Sequence, residues 1–207
     1  MSKHRGPKKI DSGKLDSGKP AAGKSDTGMV RIIAGQYRSR RLPVVSVDGL
    51  RPTGDRVRET LFNWLQNDVS GARCLDAYAG TGALGFEAAS RFAKSVTLVE
   101  LNRTAAQALI QSQELLGAES VEVVNQSFDD YAASGPEPFD IVFIDPPFVG
   151  THYGAVLQSV QSIVAPGGLV YVESPKTLRD ADAIIPAHWH LRRDKQFGDV
   201  RARLFGL

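Results

Sequence analysis

The chain has 207 residues, 42% of them hydrophobic and 23% charged, with a formal net charge of +2. That is enough for one sizeable core, and a single cysteine, Cys74, excludes an internal disulfide and suits a reducing compartment. No apolar run approaches membrane-spanning length and no apolar stretch opens the chain as a secretory signal would, so a cytoplasmic location without membrane contact is expected.

Residues 1–28 are rich in Lys, Gly, Ser and Asp and hold no aromatics. Such a segment buries too little surface to offset its ordering entropy, and a disordered basic tail is expected. It would attract phosphates or merely solubilise the chain. A β-hairpin is expected next, from Val30–Ile33 and Leu42–Val45 around Gly35-Gln36-Tyr37-Arg38-Ser39-Arg40-Arg41. Arg38, Arg40 and Arg41 crowd too closely to be buried, and guanidinium groups beside an aromatic suit phosphate neutralisation with base stacking. A helix opens near Arg51-Pro52-Thr53, with Thr53 as expected N-cap and Val57, Leu61, Trp64 and Leu65 as its core face. Arg51, Arg56 and Arg58 would extend the basic surface. Gly71 divides this extension, residues 29–70, from a main domain over 71–207.

The main domain alternates strands and helices. A short strand ends in Asp76, a glycine loop runs Gly80-Thr81-Gly82, a helix follows, and a second strand ends in Glu100. A helix to Gly117, a strand at Val121–Val124, a short helix to Ala133 and an apolar strand at Phe139–Ile144 come next. Asp145-Pro146-Pro147-Phe148 follows, then a helix from Tyr153 to Val164 and a fifth strand at Leu169–Glu173. Residues 188–207 read as an antiparallel hairpin turning at Gly198-Asp199, with Val200, Ala202 and Leu204 alternating against Arg201, Arg203 and Phe205. This order predicts a doubly wound, mostly parallel sheet, whose ligands bind beyond the strands' carboxyl ends. Asp76, Glu100, Ser127 and Asp145 all fall there.

Gly80 to Gly85 satisfies G-x-G-x-x-G, and Glu100 follows Gly80 by the ~20 residues of a dinucleotide fingerprint. Asp76 argues against NAD, because an acid beside the loop would repel a pyrophosphate. The Asp-Pro-Pro-Phe loop has a different logic. An exocyclic amine on a base is a poor nucleophile, and a carboxylate with a backbone carbonyl can accept its two N–H bonds and take the departing proton. Pro146 and Pro147 stiffen the loop, and Phe148 can stack on a base drawn out of its helix.

These stretches, with Arg31-Ile32-Ile33-Ala34-Gly35, Arg51-Pro52-Thr53 and Asp55 to Phe62, resemble class I S-adenosylmethionine-dependent methyltransferases. More closely, residues 30–207 resemble the RsmD family, which modifies guanine N2 in 16S ribosomal RNA. The resemblance implies a Rossmann-like, seven-stranded α/β fold with a C-terminal antiparallel hairpin and an N-terminal hairpin extension. It implies Asp145, Pro146, Pro147 and Phe148 as the catalytic loop. Asp76, Tyr78, Gly80, Thr81, Gly82, Glu100, Leu101, Ser127 and Phe128 would hold S-adenosylmethionine. Arg38, Arg40, Arg41, Arg51, Arg56 and Arg58 would meet the RNA, within a partly assembled small subunit, and the enzyme would act as a monomer without metal. The rivals are a DNA adenine-N6 or cytosine-N4 methyltransferase, an NAD-dependent oxidoreductase and a non-catalytic RNA-binding module.

Overall fold

The computed structural model describes residue 1 and residues 28–44, 54–148, 150–178 and 185–207. Nearly all of the basic tail, and Val45, Arg51 and Thr53, lie outside those residues. In chain order the elements are β1 (Met29–Arg31), β2 (Arg41–Pro43), α1 (Asp55–Trp64), β3 (Arg73–Asp76), α2 (Ala83–Ser90), β4 (Ser95–Val99) and α3 (Arg103–Leu116). Then follow β5 (Val121–Val124), α4 (Phe128–Ala133), β6 (Phe139–Ile144), α5 (Tyr153–Gln161), β7 (Val164–Pro175), β8 (His190–Phe197) and β9 (Val200–Gly206).

β1 and β2 form a separate antiparallel pair, and the other seven strands form one sheet in the order β5-β4-β3-β6-β7-β9-β8. β3 to β7 pair parallel, and β9 joins antiparallel between β7 and β8. The Rossmann-like α/β fold expected of the sequence is the fold observed. From β3 the chain moves outward to β4 and β5, then returns to place β6 on the other side of β3. That reversal opens a crevice between the carboxyl ends of β3 and β6, where Asp76 and Asp145 stand.

Alternation along each buried strand splits the core in two. One face holds Cys74, Leu98, Ile141, Phe143 and Tyr171 against α1, α2 and α3. The other holds Leu75, Val99, Val142, Ile144 and Val172 against α4 and α5. Ile32, Leu42, Leu61, Phe62 and Leu65 belong to the first cluster, so the N-terminal extension and the sheet share one core.

Local chemistry sets the helix ends. α3 starts at Arg103 because the Asn102 side chain accepts from the N–H groups of Thr104 and Ala105. It ends at Gly117, which is left-handed at φ 63°. α1 is preceded by Gly54 in extended conformation with no side-chain cap, so Thr53 is not its N-cap. The expected alternation in the last strand holds, with Ala202 and Leu204 in the first cluster and Phe205 in the second. β9 lies between β7 and β8, and Ala202, Arg203, Leu204 and Phe205 are all buried.

Candidate active site

At the tip of β3, Asp76 is fully buried, and the Gly85 N–H donates to its Oδ2 at 3.0 Å. Desolvation, aided by the charges of Asp145 and Glu100, pushes its carboxyl up to about 7. Asp76 thus braces the start of α2 from beneath the glycine loop. Gly80 and Gly82 both have positive φ, 53° and 74°. The glycines also make room for the protein itself. A Cβ on Gly82 would come 2.5 Å from the Phe86 ring and 2.7 Å from Leu109, and one on Gly85 would come 2.1 Å from Leu98.

Glu100, at the end of β4, accepts from the Gly80 N–H through Oε2 at 2.8 Å and from the Asn102 N–H through Oε1 at 2.7 Å. It ties the loop to the start of α3. Leu101 beside it is 71% exposed. Ser127 caps α4, accepting from Asp130 N–H at 3.1 Å and donating to the Asp130 carboxylate at 2.6 Å. Phe128 is buried, its ring 5.5 Å from that of Tyr78. It packs beneath Tyr78.

The Asp145–Phe148 loop leaves β6 at the other side of the crevice. Asp145 is half-buried, Pro146 buried, Pro147 exposed, and Phe148 exposed enough to present a ring. The Pro147 carbonyl accepts from the Thr151 hydroxyl, which closes the loop. Tyr153, in the first turn of α5, is buried and feels the charges of Asp145 and Glu173. Glu173, two residues before the end of β7, is likewise buried. The sequence pattern points to Asp76, Glu100, Ser127 and Asp145 beyond the strand ends and leaves Glu173 aside, although it closes the expected fifth strand, Leu169–Glu173.

The basic residues do not form the continuous surface expected. Arg58 is buried at 1% exposure. Its Nη2 donates to Asp55 at 2.6 Å and to the Arg31 carbonyl at 2.9 Å, and its Nη1 lies 3.8 Å from Glu87. A group so enclosed has no face for RNA, and Arg58 is part of the core. Arg38, Arg40, Arg41 and Arg56 are exposed. The turn carrying Arg38 and Arg40 is bound to the far end of α2, where the Gln36 N–H donates to the Ser90 carbonyl at 2.8 Å. Arg40 itself donates to the Leu115 carbonyl at the end of α3, at 2.8 Å. α2 begins at the glycine loop, so these arginines stand about 12 Å, one eight-residue helix, from the crevice. Arg51 lies outside the described residues. Among the described residues no cluster of His, Cys, Asp and Glu could hold a metal, and no helix is long and apolar enough to cross a membrane.

The family described as conserved hypothetical protein 95 matches residues 30–206. A curated relative from Haemophilus influenzae, ribosomal RNA small subunit methyltransferase D, is 45% identical over 187 residues, covering 86% of this chain and 94% of its own. Its namesake from Escherichia coli K12 is 44% identical, covering 87% and 91%. The chain belongs to this RsmD family. Among solved structures, a putative methyltransferase from Escherichia coli superposes with a TM-score of 0.78 at 44% identity, covering 86% of this chain and 98% of its own. A putative methyltransferase in complex with S-adenosylhomocysteine shares the fold at 16% identity, with a TM-score of 0.68 over 82% of this chain and 54% of its own.

Proposed function

We propose that the protein transfers a methyl group from S-adenosylmethionine to the exocyclic N2 of a guanine in small-subunit ribosomal RNA. The observation that carries this reading is the Asp145–Phe148 loop, set across the β3–β6 crevice from the glycine loop. Membership of the RsmD family supports the methyltransferase class and the ribosomal RNA substrate.

The residues present fit such a cofactor. Each oxygen of Glu100 accepts one backbone N–H and keeps a further lone pair for a ribose hydroxyl. Leu101 offers exposed apolar surface for an adenine, and Tyr78 with Ser127 borders the same pocket. Asp76, Gly80, Thr81 and Gly82 shape the methionine end. Bound S-adenosylmethionine supplies an electrophilic methyl on a sulfonium. The chain's own work is on the amine. Asp145 and the Pro146 carbonyl accept its N–H bonds, localise its lone pair, and Asp145 takes the proton that leaves. Phe148 stacks on the extruded base, and Pro147 stiffens the approach. Arg38, Arg41 and Arg56 would hold flanking phosphates, and reaching both the turn and the crevice requires RNA extended over several nucleotides.

The test offers labelled S-adenosylmethionine with naked ribosomal RNA, partly assembled small subunits and duplex DNA, and identifies the labelled nucleoside. Label on guanine N2 of ribosomal RNA is expected. Label confined to adenine or cytosine of DNA would overturn the substrate while leaving the methyltransferase.

A further inference from the structure

Two neighbouring strands bring carboxyl groups to one place. β6 and β7 run parallel, with Phe143 opposite Tyr171 and Ile144 opposite Val172. The rings of Phe143 and Tyr171 meet on the first face, centroids 6.4 Å apart. The same alternation, carried one step past the Ile144–Val172 pair, brings Asp145, the first residue after β6, level with Glu173 of β7 on that face. Glu173 is 3% exposed. The Tyr171 hydroxyl donates to its Oε1 at 2.8 Å.

Among the described residues, those whose charge or hydrogen bond reaches Glu173 are acids and phenols. Asp145 comes from β6, Asp76 from β3, Tyr171 from its own strand, and Tyr153 from α5 feels its charge. Arg203 is buried nearby in the sheet but on the other face. It pairs with Val172, its Nη2 lies 3.5 Å from Ser174 Oγ, and its guanidinium lies over the Phe205 ring. A buried carboxylate calls for several donors or a cation, and among the described residues Glu173 has one phenol. A neutral carboxyl suits the place better, and it has a proton to offer.

We infer that Glu173 is a positioning residue for Asp145: as a neutral carboxyl it donates a hydrogen bond to the Asp145 carboxylate, so that the remaining Asp145 lone pairs face the target amine. This rests on the methyltransferase reading above. In the transfer, the N–C bond forms as the C–S bond breaks, and the electron pair of the broken bond stays on sulfur. The surplus proton of N2 passes to Asp145 and then to water. Glu173 keeps its own proton throughout. Burial and the charges of Asp145 and Asp76 push Glu173 up to about 8. Above that pH the donor is lost and a like charge appears beside Asp145.

Glu173→Gln keeps an N–H donor for Asp145 and an acceptor for Tyr171, whereas Glu173→Ala removes both. In wild type, kcat is expected to fall as pH rises through about 8. Glu173→Gln should hold kcat within about threefold at pH 7 and abolish that fall, while Glu173→Ala should lose about 100-fold in kcat with the Kd for S-adenosylmethionine unchanged. Carbon-13 NMR of labelled Glu carboxyls in the protein alone gives a readout independent of RNA. One Glu should titrate near 8, vanish in Glu173→Gln, and titrate lower in Asp145→Asn. A Glu173→Gln enzyme as inactive as Glu173→Ala would overturn the inference, as would full kcat in Glu173→Ala or a Glu173 resonance blind to Asp145→Asn. The expected titrations in a protein that methylates no RNA would support the carboxyl pair and overturn the substrate instead.

Discussion

Glu87 and Glu173 are both buried carboxyls, and their surroundings are opposite. Glu87, on α2, accepts from the Ile33 N–H at 2.7 Å, the Ala34 N–H at 3.1 Å and the Arg91 Nε at 2.8 Å, with Arg58 Nη1 at 3.8 Å. Glu173 accepts from one tyrosine hydroxyl and faces two other acids. The first site satisfies a charge and welds the N-terminal hairpin to the sheet's first face. The second leaves a carboxyl poorly served at the mouth of a crevice. A fold keeps such a group at a cost in stability, and the cost is explicable where chemistry uses it.

The largest effect should come from the acceptor side. Asp145→Ala is expected to lower methyl transfer by about 10³-fold or more, since it removes both the lone-pair acceptor and the proton acceptor. Titration calorimetry with S-adenosylmethionine should show its binding intact. Turnover at the wild-type rate would remove Asp145 from the chemistry. Glu87→Ala should act on stability instead, at about 3–5 kcal/mol, because the Ile33 and Ala34 N–H groups lose their acceptor, Arg91 loses its partner and buried Arg58 keeps only Asp55 as a counter-charge. Urea unfolding measures this, and a loss under about 1 kcal/mol would make the weld dispensable.

Asp76 stands between the two cases, buried with the Gly85 N–H donating at 3.0 Å and the Tyr78 backbone also helping its charged form. Its carboxyl titrates near 7 in the folded chain and near the ordinary 3.8 in the unfolded one. Below pH 4 both states hold the proton and nothing is lost. Between pH 4 and 7 the unfolded chain ionises first, so stability falls as pH rises, and the full cost is present above 7. Asp76→Asn keeps an acceptor for Gly85 and cannot ionise. It should flatten that decline by about 2 kcal/mol between pH 5 and 8, read from urea midpoints at the two pH values. Parallel pH profiles for the two proteins would assign the charge to solvent.

The sheet and the place of the Asp145–Phe148 loop at the end of β6 were legible because their signals are local. Apolar runs ending in Asp76, Glu100 and Asp145 mark strand ends without any tertiary knowledge, and Gly117 closes its helix by its own conformation. What was misread depends on distant partners. Arg58 reads as a surface cation until Glu87 of α2 comes beside it. Gly82 and Gly85 read as ligand glycines until Leu109 and Leu98 arrive at the same space. That Arg203 is buried follows from the place of β9 between β7 and β8. Glu173 was in plain view. Its significance lies in the register of β6 against β7, which composition does not encode.

The smallest expected effect concerns the hairpin arginines, where the three side chains are not equivalent. Arg38 and Arg41 stand exposed, whereas Arg40 is committed to the last carbonyls of α3 through Leu115. A cation there complements the helix C-terminus. Replacing Arg38 and Arg41 by Ala should therefore weaken RNA binding and flatten the plot of log affinity against log salt by about 0.7 to 0.9 for each phosphate no longer neutralised. Arg40→Ala should instead cost about 0.5 kcal/mol of stability and leave that slope nearly unchanged. Filter binding across a salt series, with a urea curve for each variant, separates the two. If Arg40→Ala alone flattened the slope, the guanidinium would leave Leu115 to meet RNA. If the double variant left slope and affinity unchanged, the RNA would not cross the far end of α2, and its path would have to be sought nearer the crevice.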